Sequence, residues 1–194
     1  MSAVIEWSKE NRMPISVGKN EFLLFTTNRS DFKQNCSIQF GDEFLTAASY
    51  ARLLGVWFDG SLNFDTHVNK LTQDCSFRLK QMLAIAGTDW GSTGLDLRAL
   101  YLAYIRSKLL YGAPAWRCFL SSGRLGQVEV LKRKALRLIS GCARSTLCAD
   151  LYLEAAVIPL SEQFALLDAV LAEKYRRFPD GDPLYNLSFS FAPK

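Results

Sequence analysis

The sequence predicts an α+β fold in which a small β-rich part, residues 1–60, precedes a helical bundle, residues 61–178. Two observations predict this division. Short apolar runs between turn residues occupy the first part, which is typical of strands. After Gly60 the spacing of apolar residues changes from 2 to 3.6, which is the period of an amphipathic helix. Residues 179–194 are predicted to form a linker or a truncated end.

The β-rich part is predicted to contain a short helix, residues 2–12, followed by one small sheet. Its strands are predicted at residues 21–27, 37–40 and 53–58, each an apolar run bounded by polar or turn residues. A polar loop over residues 28–35 and a turn at Gly41-Asp42 separate them. Such a sheet with one helix is predicted to be too small to fold alone.

The bundle is predicted to contain five helices, and the first carries a continuous apolar stripe. The stripe consists of Phe64, Val68, Leu71, Cys75, Leu79, Met82 and Ala86, at spacings of three and four residues. Asn63 or Asp65 can cap the start of this helix, and Gly87 stands where a left-handed residue would end it.

Capping signals also bound the second and third helices. Thr93 and Asp96 form a predicted capping box, and the helix they open runs to about Tyr111, before Gly112. The third helix is predicted to end near Gly141. Its apolar stripe consists of Val128, Leu131, Ala135, Leu138 and Cys142.

The last two predicted helices follow in residues 150–178. Asp150 is predicted to open a short fourth helix, and Pro159 lies at the predicted first turn of the fifth. The residues of the fifth helix predicted to face inward are Phe164, Leu167, Val170, Leu171 and Tyr175.

Composition and charge limit the class of protein. Hydrophobic residues make up 49% and charged residues 22% of the 194 residues, which is typical of a globular chain. Between Arg98 and Arg144 there are ten basic residues and one acid, Glu129, so this segment carries +9 in a chain of net charge +4. A basic segment in an otherwise acidic chain indicates an anionic partner.

Cysteine spacing and hydropathy argue against a metal site, a membrane helix and a secretory signal in this sequence. Its five Cys stand at no metal-ligand spacing beside a single His, so we predict no metal site and reduced thiols. No stretch approaches the roughly 20 apolar residues of a membrane helix. The first residues show no secretory pattern, because charged residues interrupt every apolar run.

Three stretches carry distinctive motifs. They are WSKENRMPI (residues 7–15) leading to KNEFLLF (19–25), LLGVWFD (53–59) leading to LNFDTHV (62–68), and LLYGAPAW (109–116) followed by LKRKALR (131–137). In this order they resemble reverse transcriptases of non-LTR (LINE-type) retrotransposons, those of the ingi type among them. The first is similar to polymerase motif D, although Asn20 stands where that family often has Thr. The second is similar to the primer grip, motif E, and the third to the stretch that follows the polymerase core.

The resemblance implies that the two parts of the chain belong to different subdomains of a larger enzyme. Residues 1–60 would be the remnant of a palm, and residues 61–178 a helical thumb and connector. The family's Asp-Asp motif lies upstream of motif D, and this sequence contains no adjacent Asp pair. A polymerase needs two Mg²⁺ ions held by clustered carboxylates, so we expect the missing fingers and palm of the parent enzyme to hold them. By family analogy that enzyme would act in the nucleus.

The resemblance also implies roles for individual residues. Lys19 would support catalysis in the intact enzyme, because its ammonium would lie near the phosphates of the incoming nucleotide. Leu54, Gly55 and Val56 would grip the primer, since a glycine lets another backbone approach closely. The alternatives are a solvated lysine at the start of a strand and a strand glycine at a bulge.

Cations on two predicted helices are candidates for phosphate contacts with an RNA–DNA or DNA primer–template duplex. Arg133, Lys134 and Arg137 fall within roughly 100° of one another on the third helix, and Arg144 can extend that face. Lys70 and Arg78 on the first helix are weaker candidates. The alternative is an ordinary solvated face.

Three functions remain open from the sequence. The chain is part of an RNA-directed DNA polymerase that grips the primer–template duplex and is inactive alone. Alternatively, it is a stand-alone basic nucleic-acid-binding module without enzymatic activity, or an inactive relic. A relic would aggregate through the apolar run Phe22–Phe25, which would leave an open sheet edge exposed.

Overall fold

The computed structural model describes residues 2–26, 28, 36–40, 43–87 and 91–187. Most of the predicted loop over residues 28–35 and the turn at Gly41-Asp42 lie outside these ranges. The chain divides into two compact units, Met1–His67 and Val68–Lys194. The sheets belong to the first unit, and the described part of the second unit is helical. The predicted α+β class is therefore confirmed.

The first unit contains a helix and two separate antiparallel sheets. Helix α1 (Ser2–Glu10) confirms the predicted helix, and a single 3-10 turn, Val17–Lys19, follows it. In one sheet β1 (Ser37–Phe40) pairs with β2 (Glu43–Thr46), and in the other β3 (Tyr50–Leu53) pairs with β4 (Val56–Asp59). The prediction of one three-stranded sheet is wrong, because the described chain forms two hairpins.

The prediction of a strand over residues 21–27 is also wrong for the described part of this run. Among the described residues, this run makes a single bridge, between Phe22 and Ala47. Farther along, the Thr26 N–H donates to Gly60 O at 3.0 Å. An apolar run becomes a strand only where a neighbour supplies a continuous ladder, and this run has single contacts instead.

The predicted strand over residues 53–58 is interrupted by a two-residue turn. Leu54 and Gly55 have φ angles of 48° and 88°, and Leu53 pairs directly with Val56. Positive φ at both central residues is the mark of a type I′ turn, whose twist suits a hairpin. The apolar run conceals this reversal, because only Gly55 within it favours a positive φ.

All five predicted helices of the bundle are present, together with short helices that the sequence did not predict. After α1 the described α-helices are α2 (Asp65–Ile85), α3 (Gly94–Leu100), α4 (Ser107–Leu110), α5 (Ala113–Trp116), α6 (Ser122–Ser140), α7 (Cys148–Glu154), α8 (Leu160–Tyr175) and α9 (Pro183–Leu187). A π-helical segment, Tyr101–Arg106, joins α3 to α4, so these three segments together correspond to the second predicted helix. The short helix α9 lies where a linker was predicted. No described helix combines the length and the hydropathy of a membrane-spanning segment.

Three of the predicted helix-boundary signals are present in the structure. Thr93 Oγ1 accepts from the Asp96 N–H at 3.3 Å, and Asp96 Oδ2 accepts from the Thr93 N–H at 3.1 Å, which completes the capping box. Gly141 ends α6 with a φ of 68°, and its N–H donates to Arg137 O at 2.9 Å. Gly112, with a φ of 60°, separates α4 from α5. These three local predictions are confirmed.

The core of the second unit includes Trp116, which is fully buried. Its indole N–H donates to Tyr111 O at 3.1 Å, and its ring meets Phe164 of α8 edge-on, with centroids 6.1 Å apart. The orientation of α8 differs from the prediction at Val170, which is 67% exposed. Asp168 is buried instead and pairs with Arg117. Residues two apart on a helix point about 200° apart, so this ion pair turns Val170 outward.

Candidate nucleic-acid interface

Three of the predicted phosphate-binding cations line one groove in the second unit. Helix α2 contributes two apolar residues to it, α6 contributes three residues, and the segment after α6 contributes two. They are Leu79 and Leu83, then Lys134, Arg137 and Leu138, then Cys142 and Arg144. They line an open depression with a volume of about 370 Å³. We call these seven residues the basic groove.

The end of α6 brings Arg144 to the basic groove. Gly141 adopts a left-handed conformation, so the chain turns away from the helix axis there. Arg137 then donates from Nη2 to Arg144 O at 3.3 Å, which ties the returning segment to the last turns of α6. A cation seven residues downstream thus joins the two that the helix itself presents.

The electrostatics of the basic groove favour an anion. Three cations line it, and its seven residues include no carboxylate. Lys134 and Arg144 are exposed, and the Arg137 Nε is buried without a hydrogen-bond partner among the described residues. A buried donor without an acceptor is costly, and clustered like charges repel. An oxyanion of a phosphate would relieve the repulsion between the cations.

Arg133 does not belong to this groove. Its Nε donates to Glu129 O at 3.4 Å, and its Nη1 lies 3.4 Å from Cys148 Sγ of α7. It lines a second cavity of about 450 Å³, together with Glu129 and Tyr152. Consecutive residues on a helix point about 100° apart, so Arg133 and Lys134 face different neighbours.

The structure also places Arg78 and Lys70, the predicted candidates on α2. Arg78 Nε lies 3.2 Å from Asp74 Oδ1, and its Nη1 donates to Tyr104 O at 2.6 Å. The guanidinium carbon lies 4.4 Å from the centre of the Tyr104 ring. These contacts engage Arg78 within the bundle. Lys70 is exposed and lies outside the residues that line the basic groove.

The three predicted primer-grip residues have different environments in the β3–β4 hairpin. Leu54 is 83% exposed at the tip, in a left-handed conformation that leucine rarely adopts. Gly55 is half-buried beside it, and Val56 is buried at the start of β4. Only the Leu54-Gly55 tip is therefore accessible to a partner, while Val56 packs inside.

Lys19 ends the 3-10 turn and does not start a strand as the sequence suggested. Its side chain is exposed, and its N–H donates to Ser16 O at 3.1 Å. The side chain is therefore accessible from solvent in the first unit.

Asp59 has a capping role that the sequence did not reveal. Its Oδ1 accepts from the N–H groups of Ser61 and Asn63, both at 3.1 Å. Its Oδ2 accepts from the Phe64 N–H at 2.8 Å. The carboxylate thus satisfies three backbone donors in the segment that leads into α2. An Asp at the end of an apolar run, shortly before a helix, was the available signal.

Lys132 is a second residue whose role the sequence did not reveal. It belongs to the basic segment, yet its side chain is fully buried. Its Nζ donates to Ile158 O at 2.6 Å and lies 5.0 Å from the centre of the Tyr152 ring. Burial lowers the pKa of Lys132 to about 8, an effect that Glu129 partly opposes. Its position one turn after the buried Val128 was the signal available in the sequence.

The described residues do not fit the metal centre of a polymerase. Within those residues no group of three or more His, Cys, Asp or Glu side chains could hold a metal ion. Two-metal phosphoryl transfer requires carboxylates that converge on ions about 3.5–4 Å apart.

Comparison with known proteins relates the chain to the reverse transcriptases of retrotransposons, as its sequence motifs predicted. It is 25% identical over 133 residues to the "Probable RNA-directed DNA polymerase from transposon BS" of Drosophila melanogaster. It is 24% identical over 116 residues to the "Putative 115 kDa protein in type-1 retrotransposable element R1DM" of the same organism. These matches cover 69% and 60% of the chain.

The chain spans only a small part of these curated relatives, 15% of the first and 11% of the second. No family model matches it. No solved structure matches it either.

Proposed function

We propose that the chain is the part of a non-LTR retrotransposon reverse transcriptase that holds the primer–template. In this proposal residues 1–60 are the end of the palm, with motif D and the primer grip, and residues 61–178 are the thumb and connector. The observation that carries it is the basic groove, where Lys134, Arg137 and Arg144 converge without a carboxylate. Both relatives are retrotransposon proteins, and one is named as an RNA-directed DNA polymerase, an enzyme that acts on nucleic acid.

Two exposed features of the first unit support the same proposal. The Leu54-Gly55 tip offers an apolar side chain and an adjacent glycine for contact with the primer end. Lys19 is exposed and could approach the phosphates of an incoming nucleotide. The carboxylates for polymerisation would come from other segments of the parent enzyme.

The proposal is tested by binding of the chain to a DNA primer annealed to a longer RNA template, titrated across salt. The variant Lys134→Ala/Arg144→Ala removes two exposed cations of the groove. Each lost phosphate contact should flatten the slope of log K against log salt by about 0.7 to 0.9. The control Lys174→Ala/Arg177→Ala removes two exposed cations from the end of α8 and its flank, and it should leave the slope nearly unchanged. Equal slopes for the groove variant and wild type would contradict the proposal.

The stand-alone binding module is the second candidate, and the charge of the two units favours it. The first unit has six basic and eight acidic residues, a net charge of −2, and the second has 17 basic and 11 acidic residues, a net charge of +6. Binding could therefore reside in the second unit alone. A primer grip predicts tighter binding to a recessed 3′ end than to a blunt hybrid, whereas a stand-alone module predicts equal affinity for both ends.

A further inference from the structure

We propose that the basic groove takes an unpaired strand of nucleic acid, with a base against its apolar floor, in preference to a duplex. This inference rests on the proposed function, because it requires the groove to bind nucleic acid. It adds the state of the strand, which neither charge nor sequence motif specifies.

The first argument comes from shape. The groove is an open depression of about 370 Å³. In a duplex the base faces are stacked on one another, so a duplex could present only its backbone and groove edges to this surface. One nucleotide of an unpaired strand is of a size to enter.

The second argument comes from the floor. Leu83 is 59% exposed within the groove, and Leu79, Leu138 and Cys142 are half-buried beside it. Phosphate contacts on a duplex need cations, but they leave exposed leucines in water. An unpaired base has a free apolar face, so it would bury Leu83 while its phosphates meet Lys134 and Arg144.

The third argument comes from the arrangement of charge. Lys134 and Arg144 are exposed and can follow a flexible backbone. Cations around an apolar surface match a ligand that alternates phosphates with bases. Single strands are commonly bound through this combination of a positive groove and a stacking surface.

The test compares four 12-nucleotide probes: a single-stranded RNA, a single-stranded DNA, a strand with abasic sites at its centre, and a blunt RNA–DNA hybrid. Wild type should bind the intact single strands about fivefold more tightly than the abasic strand. Leu83→Ser should lose this preference and bind the hybrid within twofold of wild type. Leu166→Ser is the matched control, because Leu166 of α8 is 58% exposed and does not line the groove.

The outcomes separate this inference from the proposed function. If Lys134→Ala/Arg144→Ala weakens binding but Leu83→Ser and the abasic sites change nothing, the unpaired-strand inference fails and the proposed function stands. If neither variant affects any probe, or the folded chain binds none of them, both fail. Displacement of the strand by polyglutamate at equal charge, together with indifference to Leu83→Ser, would indicate an acidic peptide and would also overturn the inference. Thermal melting of Leu83→Ser, with Leu83→Ala as a second variant, checks that the bundle is intact.

Discussion

Several cations of the basic segment act within the fold, and they reduce the charge available to a partner. Arg98 donates to the carbonyl oxygens of Ala155 and Ala156, at 3.1 and 2.9 Å, just after the end of α7. Arg117 pairs with Asp168, and Lys132 donates to Ile158 O. Carbonyls near a helix end that lack an intrahelical partner need donors, and these side chains supply them. A count of charges in the sequence therefore overstates the surface charge.

Lys132→Met should change the pH dependence of stability. The pKa of Lys132 is about 8 in the folded chain and near 10.5 when unfolded, so between these values the unfolded chain binds more protons. Stability contributed by this group is therefore lowest below pH 8 and rises towards pH 10.5. Between pH 7 and pH 9, wild type should gain about 1 kcal/mol of unfolding free energy relative to the variant. Urea denaturation at several pH values measures this difference.

The variant also isolates Lys132 from the other groups that titrate at high pH. Burial raises the pKa values of Cys75 and Tyr101, so their ionisation lowers stability as the pH rises through the alkaline range. Both groups are present in wild type and variant, and their effects cancel in the difference. Gln163 Nε2 still donates to Ile158 O at 2.8 Å after the substitution, so that carbonyl keeps a partner. A parallel pH profile for both proteins would show that Lys132 keeps an ordinary pKa.

Asp59→Ala should destabilise the first unit. The substitution removes the acceptor for three backbone N–H groups in residues 61–64, at a cost of about 1–3 kcal/mol. Asp59→Asn keeps one side-chain oxygen and should lose less. Thermal melting of both variants, followed by circular dichroism, checks the order. Equal melting temperatures for Asp59→Ala and wild type would contradict the capping role.

At the scale of elements, the β3–β4 hairpin combines a strained residue with high exposure. Leu54 holds a left-handed conformation, which for L-residues costs about 1–2 kcal/mol, and makes its exposed side chain available to a partner. Strain of this kind persists where the surrounding structure imposes it, and such positions cluster at functional sites. The hairpin tip is thus less stable than it would be with a residue that favours the left-handed conformation at position 54.

Leu54→Asn should therefore stabilise the hairpin and weaken the proposed primer contact. The variant creates Asn-Gly, the favoured pair for a type I′ turn, and should raise the free energy of unfolding by about 1 kcal/mol. If the tip grips the primer, affinity for a recessed 3′ end should fall severalfold while affinity for a single strand is kept. Denaturant midpoints and binding to the two probes measure both effects. Higher stability with unchanged binding would show that the tip does not touch the primer.

At the scale of the whole molecule, thiol accessibility reports the integrity of the bundle. Cys75 is fully buried on α2, and burial raises its pKa to about 12, whereas Cys118 and Cys148 are exposed. A thiol reagent should label the exposed pair within minutes and reach Cys75 only when the bundle opens. Mass spectrometry of labelled peptides, with and without urea, follows each site. Rapid labelling of Cys75 in native buffer would instead indicate an open bundle, which is the behaviour expected of a relic.

The elements that depend on neighbouring residues were predictable from the sequence. The change of apolar period predicted α2 and α6, Thr93 with Asp96 predicted the start of α3, and Gly141 predicted the end of α6. These signals are local, because a cap or a stripe acts within one or two helical turns. The motifs also predicted similarity to the reverse transcriptases of retrotransposons, and the comparisons confirmed this similarity.

Which residues share a surface depends on the tertiary structure. It reversed the chain at Leu54-Gly55, turned Val170 outward and buried Lys132. It also placed Lys134 and Arg144 in the basic groove with two leucines from α2, and it placed Arg133 outside that groove, beside Cys148. The reason is physical: burial and electrostatics depend on which distant elements pack together, and neither period nor charge count encodes that packing. The groove is therefore a property of the folded bundle, although each of its cations was visible in the sequence.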